Sequence, residues 1–353
     1  MAMLFMDSCD HYTSAEILKK WLSGGLTMGT PGRRGVGGLA ILNNYCCVDL
    51  TGHNGTVVMG AAVYFNYTLS NTFVMTVAGA TNLMQAGIRT NALGGFDVCR
   101  AAPANAGVTM PEWLAQYGTK LGATRNGVVQ LGVWYYIEAK IVIHDSAGSV
   151  IIHVNGVNEP TTANDCSSGQ DTLASGTVEN AVLGHMGSSW NSSIDDVYML
   201  DTSGSVNNDF LGDVRVDAHY PVTPDGTNHD WTPSTGSDNY AVVDDPTANT
   251  TDYNSTNTLN ATDTFNLNHL KSVGGTIKAV QALIYHARAD AGPSSALAPV
   301  MISDVTTDVG ATVASSAGSY IYTRKVYDQD PHGPAAWDET AFNALEVGYR
   351  KIG

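Results

Sequence analysis

Positive charge is scarce in this chain. Its 353 residues include 17 Lys and Arg against 33 Asp and Glu, a formal net charge of −16. The charged fraction of 14% is well under the roughly 25% of an average soluble protein. The imbalance is local, because Ile141–Leu270 holds 18 acids and a single base, Arg215. A surface of that sign repels nucleic acid phosphates and anionic lipid headgroups, so neither nucleic acid nor a membrane is expected as a partner. Long apolar runs are missing as well: Val57–Phe65 is far short of the roughly 18 residues a membrane-spanning helix needs. The opening residues MAMLFMDSCDHY carry no basic segment and meet Asp7 and Asp10 early, so a secretory leader is not expected. Five cysteines are an odd number without C-x-x-C spacing, which points to free thiols in a reducing compartment rather than a disulfide framework or a zinc finger.

Catalytic signatures are equally thin. The sequence contains no H-E-x-x-H, no Gly-Lys dipeptide for a phosphate-binding loop, and no Ser flanked by Gly at both −2 and +2. Glycoside cleavage needs two carboxylates facing a sugar, and E-x-D-x-x-E does not occur among the seven Glu residues. The expectation is therefore a protein that is not an enzyme, with a polysaccharide hydrolase using dispersed carboxylates as a third reading.

What is present is a β pattern. The hydrophobic share of 43% is enough for a core, and the length suits two domains. Gly, Asn, Ser and Thr punctuate short runs rich in Val, Ile and Tyr, as in many strands joined by turns. In Trp134–His144, Tyr135, Ile137, Ala139, Ile141 and Ile143 alternate with a mixed face of Trp134, Tyr136, Glu138, Lys140, Val142 and His144, the mark of a half-buried antiparallel strand. Asp145–Gly148 reads as a turn, Val150–Val154 as the returning strand, and Asn155-Gly156 as a hairpin turn. Helix is minor: Thr13–Glu16 reads as a capping box before ILKKWL, and a second short helix is expected over Glu112–Tyr117. Strands are expected at Ile194–Leu200 and Phe210–Val216, then a boundary near 218–240, where Pro221, Pro224 and Pro233 should interrupt any ladder. Further β segments follow at Ile277–Arg288, whose spacing also admits a helix, and at Ala298–Ser303, Ser319–Tyr327 and Ala344–Lys351, while Thr247–Thr264 reads as a loop or edge region. The fold class is all-β: an antiparallel β-sandwich over residues 1–218 and a second β-rich domain over 219–353.

Candidate ligand residues are few. His144 and His153 lie on adjacent strands of the expected hairpin, but two histidines lack the further ligands of a zinc site. Asp195, Asp196, Asp201 and Asp209 gather hard oxygen ligands near one strand end, so Ca²⁺ is the one cofactor considered, against the alternative of solvated turn residues. Trp190, Trp231 and Tyr240 on turn-rich segments are candidate platforms for sugar rings, or else packing residues. The arm Gly24–Gly38 carries Arg33 and Arg34, which suit an acidic neighbour, with a surface loop as the alternative.

The order W-x-x-I-E-x-K at Trp134–Lys140, G-S-V-x-x-x-V-N-G at Gly148–Gly156 and I-D-D-V-Y at Ile194–Tyr198 resembles the late strands of concanavalin A-like, laminin G-like jelly rolls. The opening Leu4–Tyr12 with the helix to Trp21, and the closing Trp337-Asp338 through Ala344–Arg350, resemble structural proteins of tailed bacteriophages in which such a sandwich precedes a second β-domain. The resemblance implies a virion protein made in the host cytoplasm, exposed on capsid or tail as decoration, fibre or attachment component. Its implied partners are other virion proteins, further copies of itself in a homo-oligomer, and a host-surface glycan if it acts as a carbohydrate-binding adhesion module.

Overall fold

The computed structural model describes residues 3–22, 27–30, 32–34, 37–42, 45–53, 55–66, 69, 72–79, 84–101, 118–162, 164–173, 178–184, 191–271, 274–289, 292 and 295–353. The expected helix at Glu112–Tyr117 lies outside them. The chain divides into two compact units, Met1–Val216 and Asp217–Gly353.

In the first unit the elements are β1 (Met3–Asp7), α1 (Ile17–Lys20), β2 (Thr27–Thr30), β3 (Gly38–Leu42), β4 (Tyr45–Asp49), β5 (Thr56–Phe65), β6 (Thr72–Ala78), β7 (Met84–Thr90), β8 (Phe96–Ala101), β9 (Gly118–Ala123), β10 (Trp134–Val142), β11 (Ser149–Val154), β12 (Val157–Asn158), β13 (Asn180–Gly184) and β14 (Asn191–Leu200). They form two antiparallel sheets, a jelly-roll β-sandwich with strands far apart in sequence lying side by side. One sheet runs β12-β11-β10-β5-β14-β3-β2 with β1 added on β14; the other runs β4-β13-β6-β7-β8-β9. The first half of β14 pairs with β3 and the second half with β1. The expected hairpin forms, with Ile137 opposite Val154 and Val142 opposite Ser149. Asn155 and Gly156 both take positive φ, 51° and 75°, the conformation an Asn-Gly turn supplies at little cost. At α1, Glu16 Oε2 accepts from the Thr13 backbone N–H at 2.9 Å, the reciprocal half of a capping box.

Two features differ from the sequence expectation. The mixed face of β10 is not solvated: Tyr136 and Glu138 are as buried as Ile137 and Ala139. The central strand β5, between β10 and β14, is buried along nearly all its length, as its unbroken apolar run TVVMGAAVYF suits. Phe210–Val216 is not a strand but an irregular, mostly half-buried segment. Its Leu211, Gly212 and Val216 N–H groups go to the side chains of Tyr198, Glu138 and Asp196 instead of to a ladder.

The second unit comprises β15 (Pro221–His229), β16 (Thr232–Pro233), β17 (Asn254–Ser255), β18 (Thr262–Leu267), β19 (Val280–His286), β20 (Ala296–Ser303), β21 (Thr306–Val309), β22 (Val313–Ala314), β23 (Ile321–Tyr327), α2 (Glu339–Asn343) and β24 (Glu346–Lys351). Its main sheet runs β15-β18-β24-β20-β21, with β22 also on β20, and β19 pairs with β23 separately. The proline-rich stretch forms a strand after all. As β15 it lies at the sheet edge and meets β18 with register shifts on both sides of Asp225, and an edge position tolerates a missing N–H donor. Ile277–Arg288 contributes the strand β19, and its inward set Val280, Ala282 and Ile284 joins the core of Met301, Tyr327, Trp337, Phe342, Leu345, Phe265, Leu297 and Tyr349. Trp337 donates its indole N–H to Tyr327 O at 3.0 Å, and Asp338 caps α2 by accepting from Ala341 N at 2.8 Å.

Gly60 is the tightest joint in the larger sheet of the first unit. A Cβ there would sit 2.1 Å from Cε1 of Tyr198, so the tyrosine ring lies flat over the strand only because the side chain is absent. Overpacking of this kind typically costs 1–3 kcal/mol. Gly60→Ala is expected to lower unfolding free energy by about 2 kcal/mol in urea titrations; an unchanged midpoint would show that the ring does not press on the strand.

Candidate functional site

One face of the larger sheet carries a row of polar side chains. Opposition in the ladders places Glu138 beside Gly60 and His153, and Tyr198 across the other side of Gly60. Asp195 sits on the same face opposite Ala62, and a bulge with Asp196 at φ 51° intervenes before Tyr198. A bulge of this sort re-aims side chains, and here it points consecutive acids at different partners.

Glu138 is 0% exposed. Its Oε1 accepts from Tyr198 Oη at 2.5 Å and from the Gly212 backbone N–H at 2.9 Å. The Leu211 N–H donates to Tyr198 Oη at 3.2 Å. His153 Nδ1 lies 4.0 Å from Glu138 Oε2, and its ring stacks on Phe210 with centroids 3.9 Å apart. Lys140 reaches Asp209 at 3.2 Å. Segment 201–216 is thus strapped across the sheet by residues of β10, β11 and β14. Burial, with Glu138 next, pushes the Tyr198 hydroxyl well above the usual phenol range, and burial does the same for Tyr136. Both remain donors, Tyr136 to Asp196 O at 3.0 Å.

The arm fastens the strap from the other side. Arg33 makes a two-pronged contact with Asp213, 2.6 Å at each nitrogen, lies 5.4 Å from the Tyr136 ring centroid and 3.7 Å from Asp196 Oδ2. Arg34 adds a 3.6 Å pair to Asp213. The acidic neighbour of this arm is therefore the chain's own strap. Planar guanidinium against carboxylate and ring is the geometry for which arginine outperforms lysine.

The four acids considered for Ca²⁺ are not brought to one point. Asp195 accepts from Arg33 N at 2.7 Å and Asp196 N at 2.8 Å; Asp196 accepts from Val216 N at 2.8 Å. Asp201 faces His53 at 2.9 Å and accepts from Ser203, while Asp209 faces Lys140. Each carboxylate is turned to a different protein donor, and among the described residues no three His, Cys, Asp or Glu side chains form a metal-holding group. His144 and His153 are separated in role too: His144 Nδ1 accepts from Ser146 N and Ala147 N in its turn, whereas His153 packs on Phe210.

Among the aromatic candidates, Trp190 lies outside the described residues. Trp231 and Tyr240 pack against Phe265, Ile284, Leu297 and Tyr349. Trp231 donates its indole N–H to Ala261 O at 3.1 Å and its backbone N–H to buried Asp263 at 2.9 Å; the Tyr240 N–H goes to Asp225 at 2.6 Å. Both are half-buried and lie against the second unit's core. Burial lifts Asp263 to about 6 despite its donors. A different aromatic group was missed: Tyr285 stacks on Tyr320 at 4.8 Å and meets Tyr322 at a tilt at 4.6 Å, and Tyr253, 45% exposed, neighbours Tyr320. Alternation in Val280–His286 was the available signal, since it sends Tyr285 to the face opposite Val280, Ala282 and Ile284.

No protein-family model matches the chain, and no curated protein matches it. Among solved structures, it is similar to a mutant of Trypanosoma rangeli sialidase displaying trans-sialidase activity, at 11% identity and TM-score 0.35 over 56% of this chain and 30% of that one. It is also similar to the conserved carbohydrate esterase of Shiga toxin-encoding bacteriophage phi24B, at 14% identity and TM-score 0.33 over 56% and 99%. The carbohydrate-binding module CBM66 of Bacillus subtilis follows at 4% identity and TM-score 0.31 over 51% and 94%. The scores are low throughout, and the fold assignment rests on the chain's own strand order.

Burial, then the Asp196 charge, raises the Asp195 carboxyl from 3.8 to about 8. The folded state consequently binds a proton that the unfolded chain releases near 3.8, and stability falls as pH rises through that window. Asp195→Asn is expected to lose less stability than the parent between about pH 5 and pH 8 in parallel urea titrations; equal losses would place the proton elsewhere.

Proposed function

We propose that this chain is a non-catalytic structural component of a tailed-phage particle, exposed on capsid or tail. The observation that carries the reading is that the polar face of the larger sheet is occupied by the protein's own strap and arm. Glu138, its most buried carboxylate, holds Gly212 and Tyr198. The residues behind the phage resemblance have structural work in the fold: Asp7 closes a buried hydrogen-bond cluster, Trp337 fills the second unit's core, and Asp338 caps α2. A scaffold in which the distinctive residues are spent on packing suits a particle protein that must persist outside the cell.

A second reading is favoured by the tyrosine group of the second unit. Half-exposed aromatic rings present apolar bodies with polar tips, the surface that sugar rings and host glycans are recognised by. Such binding is compatible with the first reading and makes the particle protein an attachment component.

Quantitative mass spectrometry of density-purified particles tests the first reading. Peptides of this protein are expected in fixed ratio to the major capsid protein, near parity for head decoration and a small fraction of it for a tail part; absence from particles would overturn it. A glycan array probed with the parent and with Tyr320→Ala tests the second.

A further inference from the structure

The most chemically complete cluster lies away from the strap, at the end of β1. Asp7 and Lys20 have side chains 0% and 1% exposed, with Lys20 Nζ 3.1 Å from Asp7 Oδ1. The same nitrogen is 3.1 Å from His11 Nε2, and His11 Nδ1 is 3.9 Å from Asp7 Oδ1. Asp7 Oδ1 also accepts from Cys9 N at 2.8 Å. The other oxygen, Oδ2, accepts from Tyr12 Oη at 2.9 Å and from Trp21 Nε1 at 2.8 Å. Phe5, Tyr12 and Trp21 enclose the group: Phe5 and Trp21 meet edge to face at 4.6 Å, and Lys20 Nζ lies 5.4 and 5.9 Å from the Phe5 and Tyr12 ring centroids.

A plain buried ion pair needs an amine and a carboxylate. This site adds a base on the amine and two hydrogen-bond donors on the carboxyl oxygen that does not face it, the parts list of acyl transfer. Burial, with Lys20 next, pushes His11 down to about 3, so its imidazole is neutral and does not hold a proton itself; lying between Lys20 Nζ and Asp7 Oδ1, it can only pass one on. Burial raises the Asp7 carboxyl, while Lys20, His11, Cys9 N–H and Tyr12 lower it and prevail, so the starting pair is carboxylate and ammonium. A low-dielectric pocket weakens the hold of that charged pair against its neutral amine and acid form.

We propose that Lys20 and Asp7 condense into an intramolecular isopeptide bond. One proton passes from Lys20 Nζ by way of His11 to Asp7 Oδ1, and the freed electron pair attacks Cγ of the neutral acid so formed. Negative charge developing on Oδ2 is met by Tyr12 O–H and Trp21 N–H. In all, two of the three ammonium protons pass to Oδ1, relayed by His11, and the Cγ–Oδ1 bond breaks to release one water. The product is a secondary amide with Oδ2 as its carbonyl oxygen and one hydrogen left on Nζ. One positive and one negative charge are consumed together, and no oxidant or other reactant is needed. Exclusion of solvent from residues this buried also disfavours hydrolysis back. The bond ties β1, which pairs with the second half of β14, to α1, closing residues 8–19 into a covalent loop that restricts the unfolded chain as a disulfide does. This inference does not depend on the particle reading.

Intact-mass spectrometry of the denatured full chain tests it. The purified folded protein is expected to weigh one water less than its sequence, and its digest to contain a branched peptide joining Asp7 to Lys20. Lys20→Arg keeps the positive charge and should retain its full sequence mass, and His11→Ala should leave a large uncondensed fraction. A parent protein at full sequence mass would overturn the proposal, as would a water loss that persists in Lys20→Arg. Should Lys20→Arg fail to fold, the presence or absence of the branched peptide in the parent decides.

Discussion

The hydrogen bond from Tyr198 to Glu138, laid over Gly60, is the constraint on which the architecture of the first unit turns. It requires a glycine in the central strand, an acid opposite it on one neighbour and a tyrosine opposite it on the other. A buried carboxylate needs hydrogen-bond donors, and both of those on Glu138 fall on Oε1, the second being Gly212, twelve residues beyond the end of β14 by its number in the chain. The strap is therefore not decoration on the sheet. It supplies a donor that the buried acid needs, and in return the acid fixes the strap.

The acidic excess takes its meaning from the same exchange. Asp195, Asp196 and Asp213 serve the arm and strap, Asp225 and Asp263 accept from the backbone and side chains around Trp231 and Asn239, and Asp201 answers His53. Many carboxylates in Ile141–Leu270 thus work as acceptors for N–H groups in irregular backbone, where a sheet ladder is unavailable. Arg33 and Arg34, drawn from far upstream, offset part of their charge.

Much of the fold was legible in residue patterns. Alternation gave β10 and its inward face, Asn155-Gly156 gave the turn, and Thr13 with Glu16 gave the start of α1, because each of these is decided by local geometry. The misses had tertiary causes. Phe210–Val216 alternates like a strand, yet its N–H groups go to Glu138, Tyr198 and Asp196, which no local pattern announces. Pro221 and Pro224 looked prohibitive until β15 took the sheet edge. The acids considered for Ca²⁺ illustrate a related point: proximity in sequence said nothing of the bulge at Asp196, beyond which neighbouring acids meet separate donors. Trp231 and Tyr240 were read as platforms or else packing residues, and their contacts with the core come with backbone donations to Asp263 and Asp225 that no local pattern announces.

Amide hydrogen exchange at Leu211 and Gly212 measures the strap directly. Both amides are expected to exchange as slowly as those of β10 in the parent protein and to become fast in Glu138→Ala, with exchange in the second unit unchanged. Fast exchange at both positions in the parent would contradict it, since the outer face of the sheet would then stand open.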